Sequence, residues 1–254
     1  MASLFPVNIK QKIISVFEKI IYILSKFGIF KFNLTLNFFY YLYKKYKLLF
    51  ERNEINSLCS FIKPNSLVID VGANIGIYSL FFAKNSDEKT VILSIEPEEK
   101  NFFYLSKNLK KFKKVKLIKK IASDVNDFNF LKINLSNPTA HSISDKGEKI
   151  DSIKLDSFID EYNKKISLIK IDVEGAEGMV LNGSENIIKR DKPVIYLEFS
   201  PSRIKKYNNF DFLSFFNKYN YKFYIKNKNK FEEITGEDLL SKAHGMVVID
   251  VLCK

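Results

Sequence analysis

The sequence is poor in the residues on which several protein classes depend. Its 254 residues include only two cysteines, Cys59 and Cys253, and two histidines. These are too few for a disulfide framework or a structural zinc site, and the cysteines fit a reducing compartment. Nine glycines and six prolines exclude collagen-like and low-complexity chains. With 46% hydrophobic and 28% charged residues, the composition is that of an ordinary globular protein.

A long hydrophobic run is also absent. The best candidate is the stretch 32–43 (FNLTLNFFYYLY), which has twelve residues between two lysines. A membrane-spanning helix needs about 18 apolar residues. No small-residue cleavage site follows a compact apolar run, so no signal peptide is predicted. We therefore expect a cytoplasmic protein.

Arginine is scarce although the chain is strongly basic. Lys and Arg number 41 against 29 Asp and Glu, which gives a net charge of +12, yet only Arg52, Arg190 and Arg203 are arginines. Residues 1–50 hold eight lysines and one glutamate, 8 − 1 = +7, so the basic excess lies mainly there. Proteins that bind nucleic acids use arginine for bidentate contacts to phosphate and guanine. The scarcity of arginine therefore argues against a nucleic-acid partner.

Residues 1–52 are predicted to form a basic, aromatic-rich helical extension, and residues 53–254 the main domain. Apolar residues of the extension recur at the spacing of one helical face; they are Ile13, Ile14, Phe17, Ile20, Ile21 and Leu24. We interpret the extension as a helical cap that packs on the main domain. The alternative is that residues 9–50 make a peripheral contact with the inner face of an anionic membrane.

From residue 66 onward, short apolar strands alternate with helical stretches. The predicted strands are 66–71, 90–95, 115–121, 166–171, 193–199, 221–225 and 246–252. This alternation is typical of an α/β fold, in which helices cover both faces of a mostly parallel sheet, here of seven strands. Residues 126–155 interrupt this alternation of strands and helices with two half-exposed strands and a loop. We expect this insertion to lie near the mouth of the sheet.

An acidic residue closes or follows each of the five strands predicted to be parallel. In open α/β sheets, ligands bind outside the carboxyl ends of the strands, so these carboxylates should gather at one edge. Such a cluster indicates a cationic or polyhydroxyl ligand, although an aspartate can instead cap a helix. The five acids are Asp70, Glu96, Asp124, Asp172 and Glu198.

The turn after the first strand reads Asp70-Val-Gly-Ala-Asn-Ile-Gly76. It does not match GxGxxG, because Asn74 stands where the middle glycine would be, and the Walker pattern is absent too. A dinucleotide or a triphosphate is therefore disfavoured. A nucleoside without phosphates that carries a cationic amino-acid arm fits better, since Asp70 can anchor an ammonium group and Glu96 can accept both ribose hydroxyls. These are the features of S-adenosylmethionine.

Four segments of the chain resemble one known family. They are VIDVGANIGIYSLFFA (68–83), SIEPEEKNFFYLSKNL (94–109), SIKLDSFI (152–159) and LIKIDVEGAEGMVLNGSENII (168–188). Together they are similar to the FkbM-type methyltransferases, class I enzymes of Rossmann-like fold that depend on S-adenosylmethionine. KIDVEGAE is the most specific part of the match. The resemblance implies an O-methyltransferase that acts on a hydroxyl, either on a sugar of a surface polysaccharide or glycolipid or on a secondary metabolite.

The resemblance also implies roles for the matching positions. Asp172 and Glu174, after the fourth strand, would face the methyl group and the substrate as catalytic residues. Glu96 would hold the ribose, and the residues after the third strand would border the adenine. The full set implied at the cofactor is Gly72, Asn74, Gly76, Tyr78, Glu96, Pro97, Ser123 and Asp124.

A hydroxyl acceptor must also lose its proton, which requires a general base. Asp172, Glu174 and Glu177 lie near the fourth strand, and we interpret Glu177 as a surface or capping acid. His141, in the insertion loop, is a further candidate for the catalytic base, and the alternative is an ordinary surface histidine.

Lys170 lies in a strand that should be covered on both faces, where an unpaired ammonium group is costly. We expect it to pair with a carboxylate, either Asp172 or Glu198. Because the carboxylates are already assigned to the cofactor, the base and this pair, no metal ion is predicted.

Two other functions stay open. A nucleic-acid methyltransferase would suit the net charge, but the chain reads Asp172-Val-Glu-Gly where methylases of base amino groups carry [DN]PP[YF]. The stacking ledge for a flipped base is therefore missing. A non-catalytic protein at a membrane surface could retain the fold, but it would not need acids at the strand ends. No oligomeric state is predicted.

Overall fold

A large sheet forms the centre of the fold in the computed structural model, which describes residues 33–134, 141–208, 210–227, 230–244 and 248–254. In chain order the strands are β1 (Leu67–Val71), β2 (Val91–Ile95), β3 (Val115–Ile118), β4 (Ile121–Ala122), β5 (Phe128–Lys132), β6 (Ser142–Ser144), β7 (Glu148–Ile153), β8 (Ile166–Ile171), β9 (Val194–Phe199), β10 (Phe223–Asn227), β11 (Lys230–Ile234) and β12 (Ile249–Cys253). Eight of them pair in the order β11-β10-β12-β9-β8-β1-β2-β3.

The parallel half of the sheet runs from β9 to β3, and its strands are almost wholly aliphatic. Every residue of β1 and β8 is buried, as expected where helices cover both faces. Alternate residues of β1 enter different apolar clusters, since Leu67 and Ile69 pack on one face and Val68 on the other. The carboxyl ends of β1, β2, β8 and β9 therefore meet at one edge of the sheet.

The other half of the sheet is antiparallel and contains one strand more than the sequence predicts. β12 pairs with β9 and β10, and β11 returns from β10 as a hairpin at the edge. The α/β class is confirmed, but the sheet has eight strands rather than seven. The sequence of β11 (KFEEI) lacks an apolar run because an edge strand is half exposed and carries charges that discourage further pairing.

Helices cover both faces of the sheet. In chain order they are α1 (Asn33–Phe50), α2 (Arg52–Cys59), α3 (Ile77–Lys84), α4 (Glu99–Leu109), α5 (Phe158–Tyr162), α6 (Glu177–Asn182), α7 (Glu185–Asp191), α8 (Pro201–Asn208), α9 (Phe212–Lys218) and α10 (Gly236–Lys242). The sequence after the fourth strand predicts a single helix near 176–189, and the structure has two helices there, α6 and α7. Gly183 separates them where the chain passes so close to Ser123 that a Cβ atom would lie 2.0 Å from its carbonyl oxygen.

The predicted insertion forms a second, smaller sheet. Its strand order is β4-β7-β5-β6, and Ile121, Leu131 and Ile150 form its own apolar cluster. The predicted third strand, 115–121, is therefore two strands, because the chain leaves the large sheet after Ile118 and enters the small one at β4. Residues 135–140 of the insertion lie outside the described residues.

Helix α1 packs against the main domain with one face and exposes the other. On the inner face Phe39 and Tyr40 are buried, and the Tyr40 hydroxyl donates to Asn101 Oδ1 at 2.6 Å. The outer face exposes four large apolar side chains: Phe38, Tyr41, Leu42 and Leu49. The amphipathic stretch predicted at residues 9–32 lies outside the described residues, so contact with a membrane stays a prediction. No helix in the described part of the chain is long and apolar enough to span a bilayer.

Candidate active site

A cavity of about 330 Å³ opens at the carboxyl ends of β1, β2, β8 and β9. Its position is the one expected for a ligand site in an open α/β sheet, and its size is typical of small-molecule sites. Eight of the twelve residues predicted for the site line it directly: Gly72, Asn74, Tyr78, Glu96, Pro97, His141, Asp172 and Glu174. The other four, Asp70, Gly76, Ser123 and Asp124, do not.

The turn after β1 forms the floor of the cavity and depends on left-handed backbone geometry. Gly72, Asn74 and Gly76 have φ angles of 68°, 52° and 82°. A Cβ atom on Gly72 would lie 1.8 Å from the carbonyl oxygen of Asp172, so glycine is required there for close packing as well as for its φ angle. Asn74 tolerates its φ angle because its own side chain accepts a hydrogen bond from the Ile75 N–H at 2.8 Å.

Glu96, at the end of β2, is held by the backbone before any ligand is present. Its two carboxylate oxygens accept hydrogen bonds from Asn74 N at 2.8 Å and Glu98 N at 3.0 Å. The side chain is buried, and burial raises the pKa of Glu96 to about 7. Each carboxylate oxygen has a second lone pair, so the group that fixes the turn can also accept hydroxyl donors from the cavity.

Asp70, which the sequence predicted to anchor an ammonium group through the turn, does not line the cavity. It is completely buried beneath the turn and accepts hydrogen bonds from Ser79 N at 3.0 Å and Ser79 Oγ at 2.5 Å. Its other oxygen lies 3.5 Å from Lys170 Nζ. Asp70 thus joins β1 to α3 and to β8. Its location favours a supporting role, since β-strand side chains alternate and the turn bends over this one.

Lys170 has the carboxylate partner that its burial requires. Its Nζ lies 3.3 Å from Asp172 and 3.5 Å from Asp70, and it donates to Gly72 O at 3.1 Å. The pairing with Asp172 confirms one of the two predicted partners. Burial alone lowers the pKa of an ammonium group, but Asp172 and Asp70 outweigh it and raise the pKa of Lys170 above its ordinary value. Glu198, the other predicted partner, lies instead 3.9 Å from Arg203.

Three carboxylates gather at the end of the cavity formed by β8 and β9. Burial raises the pKa of Asp172, but the charges of Lys170 and Lys47 outweigh it and hold this pKa below its ordinary value. Burial, together with the charge of Asp172, raises the pKa of Glu174. The charge of Asp172, together with burial, raises the pKa of Glu198 to about 9. One carboxylate of the three therefore stays ionised, and the other two bind protons more tightly than a carboxylate in water.

Glu174 occupies a strained position in the turn after β8. Its φ angle is 55°, and that of the following Gly175 is 106°, whereas a residue with a side chain rarely adopts a positive φ angle. The carboxylate accepts a hydrogen bond from Arg203 Nη1 at 2.8 Å. The ion pair holds Glu174 at the cavity wall, and strain of this kind is concentrated at functional sites.

Glu177 caps this turn from inside the protein. It is buried and accepts hydrogen bonds from Gly175 N at 3.1 Å and Val173 N at 3.4 Å. Burial raises the pKa of Glu177 to about 7. The sequence predicted a surface or capping acid, and the structure shows the capping role in a buried position.

His141 lines the cavity, but its hydrogen bonding does not suit a general base. Its Nδ1 accepts a hydrogen bond from Asn134 N at 3.0 Å, so the proton of the neutral ring is on Nε2. The neutral imidazole can therefore donate from Nε2, whereas its accepting nitrogen is already engaged by the backbone. This arrangement points to a hydrogen-bond donor rather than the base proposed from the sequence.

Ser123 and Asp124 lie behind the cavity wall. Ser123 is buried, and its Oγ donates to Asp124 Oδ1 and accepts from Asn129 Nδ2, both at 3.1 Å. The wall at this point is made by the preceding residues 120–122. The offset arises because the chain turns into the small sheet at β4, which moves the lining by one to two residues toward the N-terminus.

Sequence reasoning missed the contribution of α1. Tyr43, Tyr46 and Lys47 line the cavity together with Glu51, and Lys47 Nζ lies 2.7 Å from Glu51 Oε1. The signal was present, because residues 43, 46 and 47 have the spacing of one helical face. What the sequence did not reveal was which part of the main domain this face covers.

Tyr78 connects the cavity wall formed by α1 and Glu51 to Glu54, a partly buried acid of α2. Its hydroxyl contacts Glu51 at 3.3 Å and donates to Glu54 Oε1 at 3.0 Å. Glu54 also accepts from Tyr196 at 2.6 Å and from Lys226 at 3.0 Å. Helix α2 is thereby joined to β9 and β10, and the end of α1 is held over the sheet.

The donor set of the cavity fits S-adenosylmethionine. Glu96 provides a carboxylate for the ribose hydroxyls, and Ile95, Pro97 and Ala122 provide apolar surface suited to the adenine. Asp172, which stays ionised, is a strong hydrogen-bond acceptor at the other end of the cavity. No group of three or more His, Cys, Asp and Glu side chains among the described residues is arranged to hold a metal ion.

Comparisons with known proteins give the family. Among solved structures, FkbM methyltransferase from Methylobacillus flagellatus KT is 17% identical, with a TM-score of 0.48 over 76% of this chain. The alignment spans 44% of the Methylobacillus protein, less than half of its length. A protein from Streptococcus mutans crystallised with S-adenosylhomocysteine is 12% identical, with a TM-score of 0.46 over 79% of this chain and 94% of that one.

An S-adenosylmethionine-dependent O-methyltransferase from Thermotoga maritima is 10% identical, with a TM-score of 0.43 over 79% of this chain and 63% of that one. No curated protein matches the chain. The model of the methyltransferase FkbM domain matches residues 70–223, from the acid of β1 to the start of β10 and thus through every strand end that forms the cavity. The chain belongs to the FkbM methyltransferase family, whose members depend on S-adenosylmethionine.

Proposed function

We propose that this methyltransferase transfers the methyl group to a hydroxyl of a neutral, hydroxyl-rich acceptor. A sugar of a surface polysaccharide or glycolipid, or a secondary metabolite, is the acceptor class that we favour. The observation that carries the proposal is the group of carboxylates at one end of the cavity, Asp172, Glu174 and Glu198. Carboxylates accept hydrogen bonds from several hydroxyls at once, and one of them can accept a proton.

The cofactor end of the cavity is the Glu96 end. Glu96 would accept the ribose hydroxyls, and the turn at Gly72 and Asn74 would lie against the amino-acid arm. S-adenosylmethionine supplies, when bound, a methyl group that is susceptible to nucleophilic attack. The residues of the protein must then place a hydroxyl oxygen of the acceptor in line with that methyl group and take the proton of the hydroxyl.

We assign the two steps at the acceptor to different carboxylates. Asp172 remains ionised beside Lys170, so it orients the acceptor hydroxyl as a hydrogen-bond acceptor. Glu174, whose pKa is raised above its ordinary value by burial and by the charge of Asp172, takes the proton, because a carboxylate with a raised pKa is a stronger base. His141 donates from Nε2 to a second oxygen of the acceptor.

The charge of the cavity supports a neutral acceptor over a nucleic acid. Its lining contains five carboxylates (Glu51, Glu96, Asp172, Glu174 and Glu198) and three lysines (Lys47, Lys120 and Lys170), so the formal balance is 3 − 5 = −2. A phosphate backbone that approached the acceptor end would therefore find no excess of cations to neutralise it. The basic excess of the protein as a whole therefore does not extend to this site.

The test is transfer of labelled methyl from S-adenosylmethionine to glycan fractions, small hydroxylated metabolites and RNA, offered separately. We expect label on a hydroxyl-bearing acceptor, in an alkali-stable ether linkage. Transfer to RNA, or to an amino group of any acceptor, would overturn the proposal.

The Glu174→Gln variant tests the assignment of the base. It keeps the size of the side chain and the contact with Arg203 but cannot take a proton, so we expect kcat to fall about 10²- to 10⁴-fold. Binding of S-adenosylhomocysteine, measured by calorimetry, should be unchanged. The matched control is Glu185→Gln, which removes an exposed acid from α7 far from the cavity lining; its kcat should equal that of the unchanged protein. A Glu174→Gln enzyme with full kcat would exclude Glu174 as the base.

A further inference from the structure

The inner face of α1 carries a row of four aromatic rings, and the middle two line the cavity. Phe39, Tyr43, Tyr46 and Phe50 recur at helical spacing, and neighbouring rings contact one another. The centroids of Tyr43 and Tyr46 are 6.5 Å apart with an interplanar angle of 27°, and those of Tyr46 and Phe50 are 5.3 Å apart. Of these rings, Tyr43 and Tyr46 line the cavity.

The row faces the catalytic carboxylates. Lys47, in the next turn of the same face, lies 5.6 Å from the Tyr43 ring centroid and pairs with Glu51. The charge of Lys47 acts on the pKa values of Asp172 and Glu174. Tyr43, Tyr46 and the two carboxylates therefore line the same cavity.

Tyr43 and Tyr46 are less buried than the rings one turn earlier. Phe39 and Tyr40, one turn earlier, are buried, whereas Tyr43 and Tyr46 keep part of their surface accessible at the cavity. A pair of half-buried rings with nearly parallel planes offers a flat apolar surface, and the carboxylates opposite offer acceptors for hydroxyls. The two surfaces together suit a ligand that is apolar on one face and hydroxylated at its rim.

We propose that Tyr43 and Tyr46 are acceptor-binding residues, which hold the ring of the acceptor by stacking while its hydroxyls reach Asp172 and Glu174. The inference rests on the proposed function and adds to it the element that selects the acceptor. Helix α1, outside the segment 70–223 that matches the family model, then provides the specificity of this protein. A change of residues 43 and 46 changes which acceptor ring is accepted and leaves the cofactor site intact.

The experiment uses the full chain, saturated with S-adenosylhomocysteine, and a set of methyl pyranosides as probes. Saturation-transfer NMR reports which protons of a probe contact the protein. For the unchanged protein we expect transfer to the ring C–H protons of at least one pyranoside. Tyr46→Ala should abolish this transfer, and Tyr46→Phe, which keeps the ring, should restore it.

Tyr41→Ala is the matched control, because Tyr41 lies on the same helix and faces outward with 56% of its surface exposed. It should give the same transfer as the unchanged protein. With an acceptor from the labelling screen, Tyr46→Ala should raise KM about tenfold with little change in kcat. Calorimetry with S-adenosylhomocysteine should give the same affinity for all three variants, which shows that each is folded.

Two results would overturn the inference. One is the absence of transfer to any pyranoside from a protein that binds S-adenosylhomocysteine, and the other is equal transfer in Tyr46→Ala and the unchanged protein. Either can occur while labelled methyl still reaches a glycan hydroxyl, in which case the proposed function stands and the acceptor lies elsewhere. Label found only on RNA or on amines would instead remove the proposed function itself.

Discussion

Glu96 is a carboxylate that is buried and hydrogen-bonded to two backbone amides before any ligand arrives. Burial raises its pKa to about 7, and the two amides act in the opposite direction. The group is therefore close to half ionised at neutral pH without ligand. Ribose hydroxyls would donate to it, and such donors favour the ionised form. Binding of the cofactor should then release a proton.

The first prediction is that affinity for S-adenosylhomocysteine depends on the ionisation of Glu96. Because binding favours the carboxylate, affinity should fall as the pH drops below about 7. Glu96→Ala, which removes two charge-assisted hydrogen bonds, should weaken binding about 100-fold or more at pH 8. Calorimetric titrations at pH 5.5, 7 and 8.5 measure both effects, with the pH values chosen about 1.5 units around the group's pKa.

Glu96→Gln is the control for shape, since it keeps the side chain but cannot ionise. Its affinity should be lower than that of the unchanged protein and nearly independent of pH over the same range. An unchanged protein whose affinity is constant from acidic to alkaline pH would show that Glu96 does not hold the ribose.

The positions of single site residues could be predicted from the sequence where a strand ends at the cavity. They were harder to predict where the chain turns. Glu96 and Asp172 follow apolar strands, and the parallel sheet brings them to one cavity as expected. Asp70 ends a strand too, but the turn at Gly72 folds over it and buries it. Ser123 was displaced because β3 stops earlier than the apolar run suggested. Small shifts of this kind depend on tertiary packing, which the sequence pattern does not contain.

At the scale of elements, the pairing of β1 with β8 explains why a lysine lies in the centre of the sheet. The register places Asp70 directly opposite Lys170, and directly opposed residues of neighbouring strands are close enough to interact. Asp172, two residues beyond Lys170 and just after the end of β8, lies 3.3 Å from the same ammonium group. Two carboxylates from two elements therefore neutralise one ammonium group at the floor of the cavity.

The second prediction is that Lys170→Met destabilises the fold despite its apolar side chain. Asp70 is completely buried, so removal of its cation leaves a buried charge without compensation, at a cost of about 3–5 kcal/mol. The free energy of unfolding in urea measures it. Burial already raises the pKa of Asp70 in the unchanged protein. In the variant the pKa values of Asp70 and Asp172 both rise, so the loss should be largest at neutral pH and should shrink as both groups take up protons in acid.

Two further variants serve as controls for this result. Lys119→Met, which removes a surface lysine paired with Glu99, should change the free energy of unfolding by less than about 1 kcal/mol. Asp70→Asn combined with Lys170→Met should recover part of the lost stability, because the uncompensated charge is gone. A Lys170→Met protein with full stability at pH 7 would show that the ion pair is dispensable.

The elements that sequence patterns predicted best were the buried parallel strands, whose aliphatic runs have few other interpretations. The elements missed were of two kinds. β11 is an edge strand with charged residues, and α6 and α7 are divided by a glycine that packs against a distant backbone. Helix α1 was predicted, but the surface that it covers, and therefore its role at the cavity, was not. Docking of one element on another is decided by contacts far apart in the sequence.

At the scale of the whole molecule, the protein has a net charge of +12 and a cavity whose lining is formally −2. The acids that produce this difference are gathered by the fold from the carboxyl ends of β2, β8 and β9, together with Glu51, which follows α1. Bringing like charges together in a partly buried place raises their pKa values. The apolar packing of the helices on the sheet provides the stability that offsets this repulsion. The clustered carboxylates then form a polar binding site for the cofactor and the acceptor.

The third prediction is that the protein without cofactor becomes less stable as the pH rises from 5 to 9. The pKa values of Glu96 and Glu177 are raised to about 7, and that of Glu198 to about 9, from an ordinary value of 4.5. Between pH 4.5 and these values the folded state binds more protons than the unfolded state. Stability is therefore greatest near pH 5 and is lost as the pH rises through the folded pKa values.

Urea unfolding at successive pH values measures this slope, with about 1.4 kcal/mol for each unit of pKa shift of a fully buried group. Glu177→Gln should flatten the curve between pH 5 and 7, since an amide can still accept the hydrogen bond from Gly175 N but does not titrate. Glu198→Gln should flatten it between pH 7 and 9. A free energy of unfolding that rises with pH across this range would show that these carboxylates are ionised in the folded protein at neutral pH.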